Sequence, residues 1–208
     1  MFQGRAEEII EMIEESVSAY PAIAAWRAAL AYTSCLLDRR AKARAILQQA
    51  ASDRFEHIPP TTAKLTALTQ YAHVAVETGD AEAASILYGL MEPWAEQLDW
   101  NGAFGFGPVR MWLGLLAAVL GEHEEADRHL ALACEYTETT GLLLWAARTH
   151  LGWAETLAHR CAEQEAPKHA ARALELSREH GYGAFESRAA AIVERSSGLT
   201  SAEPRGQV

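Results

Sequence analysis

Thr78–Met91 reads TGDAEAASILYGLM, and Leu120–Ala133 reads LGEHEEADRHLALA. Each opens at a turn (Gly79, Gly121), places an alanine at the same offset (Ala84, Ala126) and a bulky residue four later (Tyr88, Leu130). LLDRRAKARAILQQA (Leu36–Ala50) repeats the pattern with Asp38 at the turn, then Ala43 and Leu47; EAPKHAARALELS (Glu165–Ser177) offers Ala170 and Leu174. The four turns, at Asp38, Gly79, Gly121 and Glu165, are 41 to 44 residues apart. Small residues let two helices cross closely, and the bulky residue plugs the next pair. A helix pair cannot bury its apolar face alone, so a repeat of this period closes its core by stacking.

The rest of the chain carries the same period. Apolar residues recur three and four apart, as in Ile9, Ile10, Ile13 and Val17, or Leu113, Leu116, Ala117 and Leu120. Strict alternation is nearly absent. Pro21, Pro60 and Pro108 stand where helices would begin, since proline's missing N–H is an orphan there anyway. Gly79, Gly121, Gly141 and Gly181 stand where helices would stop. The spacing predicts helices over 4–19, 21–37, 39–52, 60–78, 80–97, 108–120, 122–139, 142–160, 165–180 and 183–195. The expected fold is all-α, an α-solenoid of four to five antiparallel helix pairs over residues 1–195, with 196–208 a disordered tail.

Composition narrows the function. The chain has 208 residues and a net charge of −10, with a sequence pI near 5.3. Clustered cation is what non-specific binding to nucleic acid or an anionic membrane requires, so neither is expected. Cys35, Cys134 and Cys161 are widely separated and form no CxxC pair, which suits buried thiols in a reducing compartment. Met1–Ile10 is acidic rather than basic-then-apolar, and Met111–Gly121 is about half a membrane span. The expected location is the cytoplasm.

YPAIAAWRAALAY (Tyr20–Tyr32), AKARAILQQAA (Ala41–Ala51), AHVAVETGDAEAASILYGLMEPWAEQ (Ala72–Gln97), GPVRMWLGLLAAVLGEHEEADRHLALA (Gly107–Ala133) and AARTHLGWAETLAHR (Ala146–Arg160) follow in order. In this order they resemble the C-terminal tetratricopeptide-like region of large actinobacterial regulators, over nearly all of residues 19–188. In those regulators a class III adenylate cyclase domain or a LuxR-type DNA-binding domain accompanies an AAA-type ATPase. The resemblance implies an interaction or sensor module in signalling or transcription regulation. No Walker A sequence, cyclase signature or helix-turn-helix stands in these residues, so those activities do not transfer.

Candidate chemistry is sparse. NGAFGFGPVRMWLG (Asn101–Gly114) is glycine-rich ahead of a helix, but it lacks the lysine, the hydroxyl and the preceding strand of a phosphate loop. Its neighbouring rings, Trp100, Phe104 and Phe106, either tuck into the helices or line a groove. HEEADRH (His123–His129) spaces its histidines six apart, which points them in different directions on a helix. His73, His150, His159 and His169 read as isolated helical histidines, packed or solvated, and no Cys–His pair can be assigned by spacing. No catalytic residue, cofactor or metal ligand is expected.

The inner face is the better candidate. Aligned on the turns, the inward positions are Tyr32, Thr66, Thr69, His73, Met111, Leu115, Thr149, Trp153 and Thr156, a mixed lining suited to a peptide or an apolar small molecule. Arg27, Arg110 and Arg148 share one repeat position beside them. They either clamp an anion by forked hydrogen bonds or pair locally with acids. The expected function is non-catalytic binding of a protein, peptide or small effector on the concave face, with self-association also compatible. The alternative is a small-molecule pocket or enzyme site between the 98–108 loop and the inner helices.

Overall fold

The computed structural model describes residues 6–102, 105–160 and 165–200, the last four as backbone only. Among them are ten α-helices: α1 (Glu7–Ala19), α2 (Ala24–Leu36), α3 (Arg40–Ala51), α4 (Lys64–Thr78), α5 (Ala81–Met91), α6 (Val109–Val119), α7 (His123–Thr139), α8 (Leu143–His159), α9 (Ala166–His180) and α10 (Gly183–Thr200). Two short strands, β1 (Leu98–Trp100) and β2 (Gly105–Pro108), pair antiparallel. Apart from this hairpin, the regular structure among the described residues is all helical. No helix among the described residues is long and apolar enough to cross a membrane. Contacts divide the chain into two units, residues up to 133 and residues from 134 onward, the division falling within α7.

In the first unit the repeated turns share one backbone geometry. Asp38, Gly79 and Gly121 all take the left-handed conformation, at φ 55°, 63° and 79°. The next N–H then reaches the carbonyl five residues back: Arg39 to Ser34 at 2.8 Å, Asp80 to Ala75 at 3.0 Å and Glu122 to Ala117 at 2.9 Å. This capping bond satisfies an orphan carbonyl and turns the chain sharply into the following helix. Asp80 also caps α5, accepting from the Ala83 N–H at 3.2 Å.

The small residues sit where close approach requires them. Ala43, Ala84 and Ala126 are fully buried, as is Ala170 in the second unit. Between α6 and α7 the approach is closer still. A Cβ on Gly114 would lie 2.6 Å from Leu130 Cγ and 3.1 Å from the Ala126 carbonyl oxygen, so no side chain fits there. α1 closes the start of this unit by packing Ile10 and Ile13 against Leu30 of α2. α2 lies against α3 and α4, and α4 against α5 and α6.

The second unit is a helical cluster of its own. α8, α9 and α10 pack mutually around Leu151, Leu176, Phe185 and Ile192, with Ala147, Ala173 and Ala189 at the close approaches. The ten helices among the described residues each overlap one of the ten predicted spans.

Several boundaries differ from expectation. Helix 80–97 stops at Met91 and gives way to a 3-10 turn, Glu92–Trp94. Pro93 is the cause: it has no N–H to donate back, so the α-ladder cannot continue through it. α2 begins at Ala24 rather than at Pro21, because Pro21 occupies a turn in which the Ile23 N–H donates to the Tyr20 carbonyl at 3.0 Å. α4 likewise begins at Lys64, four residues past Pro60. α10 runs on to Thr200, past the predicted end at 195, while 201–208 lie outside the described residues. The largest difference is the hairpin, where a loop was expected.

Candidate functional site

The hairpin explains where the inner-face residues of the first unit go. β1 and β2 lie on α4, and β2 also meets α6. Register places Asp99 opposite Gly107 and Trp100 opposite Gly105. Asp99 is 1% exposed and points into the helices. Its Oδ1 accepts from Thr66 Oγ1 and its Oδ2 from Thr69 Oγ1, both at 2.7 Å. The backbone N–H of Phe106 donates to the same carboxyl. Two hydroxyls predicted to line an open face therefore bolt an extended segment onto it.

The Thr69 hydroxyl also reaches the Thr66 carbonyl of its own helix, at 2.9 Å. Burial raises the Asp99 carboxyl above its ordinary value, with the Thr69, Thr66 and Phe106 hydrogen bonds opposing.

Aromatic rings fill the space beside the bolt. Tyr32 from α2 meets His73 edge-on at 4.7 Å and Phe106 at 5.0 Å between ring centroids. His73 in turn meets Trp112, whose indole N–H donates to the Phe106 carbonyl at 2.7 Å. Phe106 is 3% exposed and Trp100 is 62% exposed, so the two rings face opposite ways. Phe104 lies outside the described residues. Met111 and Leu115 are buried in α6.

Of the arginine trio, Arg110 pairs with Glu96, and its Nη1 donates to His129 Nδ1 at 3.3 Å. The other ring nitrogen of His129, Nε2, lies 3.1 Å from Glu125 and from the Tyr88 hydroxyl, and 3.5 Å from Arg128 Nη2. Arg27 is half-buried on α2, and Arg148 is buried in α8. His123 takes no part in these His129 contacts, as the six-residue spacing implied.

The second unit holds a cluster that sequence spacing does not reveal. Cys134 of α7, His150 of α8 and His169 of α9 place one ligand-type atom each within 4.8 Å of one another. Cys134 Sγ lies 3.7 Å from His150 Nδ1, and His150 Nδ1 lies 2.9 Å from His169 Nδ1. Glu138, one turn after Cys134, receives the other edge of His150: Nε2 to Oε1 at 3.3 Å. A carboxylate only accepts, so the His150 proton sits on Nε2 and Nδ1 presents its lone pair to Cys134 and His169. Arg172 Nε donates to the same Glu138 oxygen at 3.0 Å. Trp153 stacks on His169 with ring centroids 4.0 Å apart.

Burial pushes the Cys134 thiol up to about 12 and holds the His150 imidazole below its ordinary value. Cys161 lies outside the described residues. Trp153 thus has a defined partner in His169, while Thr149 and Thr156 turn back to their own helix, donating to the Trp145 and Gly152 carbonyls at 2.7 and 2.9 Å. His150 and His169, read from the sequence as isolated, are in contact. One signal was available: Cys134 and Glu138 are four apart on a helix and share a face. Comparison with protein-family models, curated proteins and solved structures finds no match to this chain.

Proposed function

We propose that the chain is a tetratricopeptide-like α-solenoid module that binds a peptide, a protein partner or a small effector along its inner helices, without catalysis. It would serve within or beside a bacterial signalling or transcription regulator. The observation that supports this most is the seat of the hairpin. Side chains from α2, α4 and α6 converge on one extended segment, grip its Asp99 by hydroxyls and its Phe106 by Tyr32, and cap its Phe106 carbonyl with Trp112. Stacked helix pairs present extended surfaces of this kind to linear segments. In this reading residues 98–108 are the resident occupant, and an incoming segment binds by replacing them. Such a partner shifts the molecule to the hairpin-released state only by as much as it prefers that state.

The test uses the hairpin itself as the probe. Residues 98–107 are replaced by a short Gly-Ser connection, and folding is checked by circular dichroism. A fluorescent peptide with the sequence of residues 97–109 should then bind the shortened protein saturably and the intact protein far more weakly. Changing Asp99 and Phe106 of the peptide to alanine should abolish binding. A folded, shortened protein that ignores the peptide would remove the support for a groove. Native mass spectrometry of protein isolated from its host would show the natural occupant.

A further inference from the structure

We propose that Cys134, His150 and His169 form a binding site for a single divalent metal ion of the zinc class. The case rests on the donor set, its convergence and the groups behind it.

One thiol and two imidazoles are the ligands that zinc prefers, and three protein ligands leave a fourth tetrahedral position for water or an incoming group. The three residues stand on three consecutive helices, α7, α8 and α9, so folding alone brings them together. Bonds of about 2.0–2.1 Å to nitrogen and about 2.3 Å to sulfur set tetrahedral ligand atoms roughly 3.3–3.6 Å apart. The observed separations of 3.7 Å for Cys134 Sγ to His150 Nδ1 and 2.9 Å between the two Nδ1 atoms straddle that range. The third pair, Cys134 and His169, lies within 4.8 Å, so binding an ion requires the half-buried His169 ring to move away from His150 and toward the sulfur.

The surroundings have the features of a supported metal site. Glu138 accepts from His150 Nε2, which aims the Nδ1 lone pair at the centre of the cluster and raises its basicity. Arg172 in turn holds Glu138 in place. Trp153, stacked on His169, fixes the plane of that ring. Ion binding displaces the thiol hydrogen of Cys134 to solvent as a proton, leaving a thiolate on the metal, and replaces the direct contact between the imidazoles. The inference lies wholly in residues from 134 onward and does not depend on the groove reading for the first unit.

The experiment uses full-length protein made without a metal-affinity tag and stripped with chelator. One equivalent of Co²⁺ should produce a thiolate-to-cobalt charge-transfer band together with the visible bands of a tetrahedral centre. One equivalent of Zn²⁺ should bleach both and remain bound through dialysis. Cys134→Ser should remove the charge-transfer band. His169→Gln, at a half-buried position that keeps the fold, should weaken zinc at least tenfold. Glu138→Gln should weaken it about 10- to 100-fold, as loss of a supporting carboxylate does elsewhere. Circular dichroism in chelator establishes that each variant is folded.

Three results would overturn the site. The first is a folded wild-type protein that retains no zinc and shows no cobalt band. The second is a band that survives in Cys134→Ser and so arises from another thiol. The third is zinc affinity unchanged in His169→Gln. In each of these cases the cluster is a hydrogen-bonded packing of Cys134 and two histidines.

Discussion

The Asp99 bolt and the Cys134 cluster are both buried, both built from side chains distant in sequence, and chemically opposite. At Asp99 the donors and acceptors match: two threonine hydroxyls and a backbone N–H all donate to one carboxyl. The product is a closed contact that holds an extended segment against helices. Around His150 the match is different. Glu138 takes one edge of the ring, and the other edge turns a lone pair toward a sulfur and a second imidazole nitrogen. One thiol and two imidazoles gather there, the ligand types that a zinc-class ion takes. Burial and polarity alone do not distinguish a lock from a ligand site, whereas the kinds of atom that converge do.

The largest expected effect tests the lock. Asp99→Ala leaves the Thr66 and Thr69 hydroxyls and the Phe106 N–H without their buried acceptor, at about 1–3 kcal/mol per abandoned group. A loss of about 3 kcal/mol in chemical denaturation is expected, with early hydrogen exchange at the 105–109 amides. A loss under about 1 kcal/mol would show that the hairpin is held by its rings instead. At the cluster the corresponding effect is a gain. Zinc at a hundredfold excess over its dissociation constant should stabilise the wild type by about 2.7 kcal/mol and leave Cys134→Ser unmoved. Equal stabilisation of the two proteins would dissolve the contrast between them.

Gly105→Ala addresses the same hairpin from the backbone. An added Cβ would lie 2.2 Å from the Asp99 carbonyl oxygen, so the strands must part. A cost of about 2 kcal/mol is expected from overpacking of this kind, read by thermal denaturation. It should come with loss of protection at the hairpin and no change in cobalt binding.

The pH dependence of the lock has a definite sign. The Asp99 carboxyl is raised above its ordinary 3.8, so the folded state favours the protonated form. Its stabilising share is full below that ordinary value and is lost as pH rises through the raised one. The amide introduced by Asp99→Asn is neutral throughout, so this variant should flatten that limb of the stability profile. An unchanged slope would assign the limb to other carboxylates. The smallest effect is expected at Tyr71, whose buried hydroxyl has no hydrogen-bond partner among the described residues. Tyr71→Phe should change stability by less than about 1 kcal/mol, in the stabilising direction, because nothing is left unpaired. A clear loss would reveal a water bridging that hydroxyl.

Most helices are legible along the chain, and the reasons are local. The three-to-four spacing of Leu113, Leu116 and Leu120 and the glycines at 79, 121, 141 and 181 act within a turn or two of chain. Even Asp38, with no glycine to help it, adopts the left-handed turn that its alignment with Gly79 and Gly121 implied. The hairpin escaped because its strands are only three and four residues long, too short for alternation to register. The one usable signal was Asn101-Gly102, a pair that favours tight hairpin turns. Alignment of the repeats brought out Tyr32, Thr66, Thr69 and His73 together, and they do gather. What alignment left open was whether that face is bare or covered.

The helices, their turns and the small residues at their crossings follow from the amino-acid order alone, because each arises from interactions among residues close along the chain. Packing in three dimensions settles the rest: Asp99 and Phe106 turn inward while Trp100 turns out, and Cys134, His150 and His169 meet. Those outcomes depend on how far neighbouring helices rotate and slide as they pack. Sixteen and nineteen residues separate the members of the cluster, and no local period connects positions so far apart.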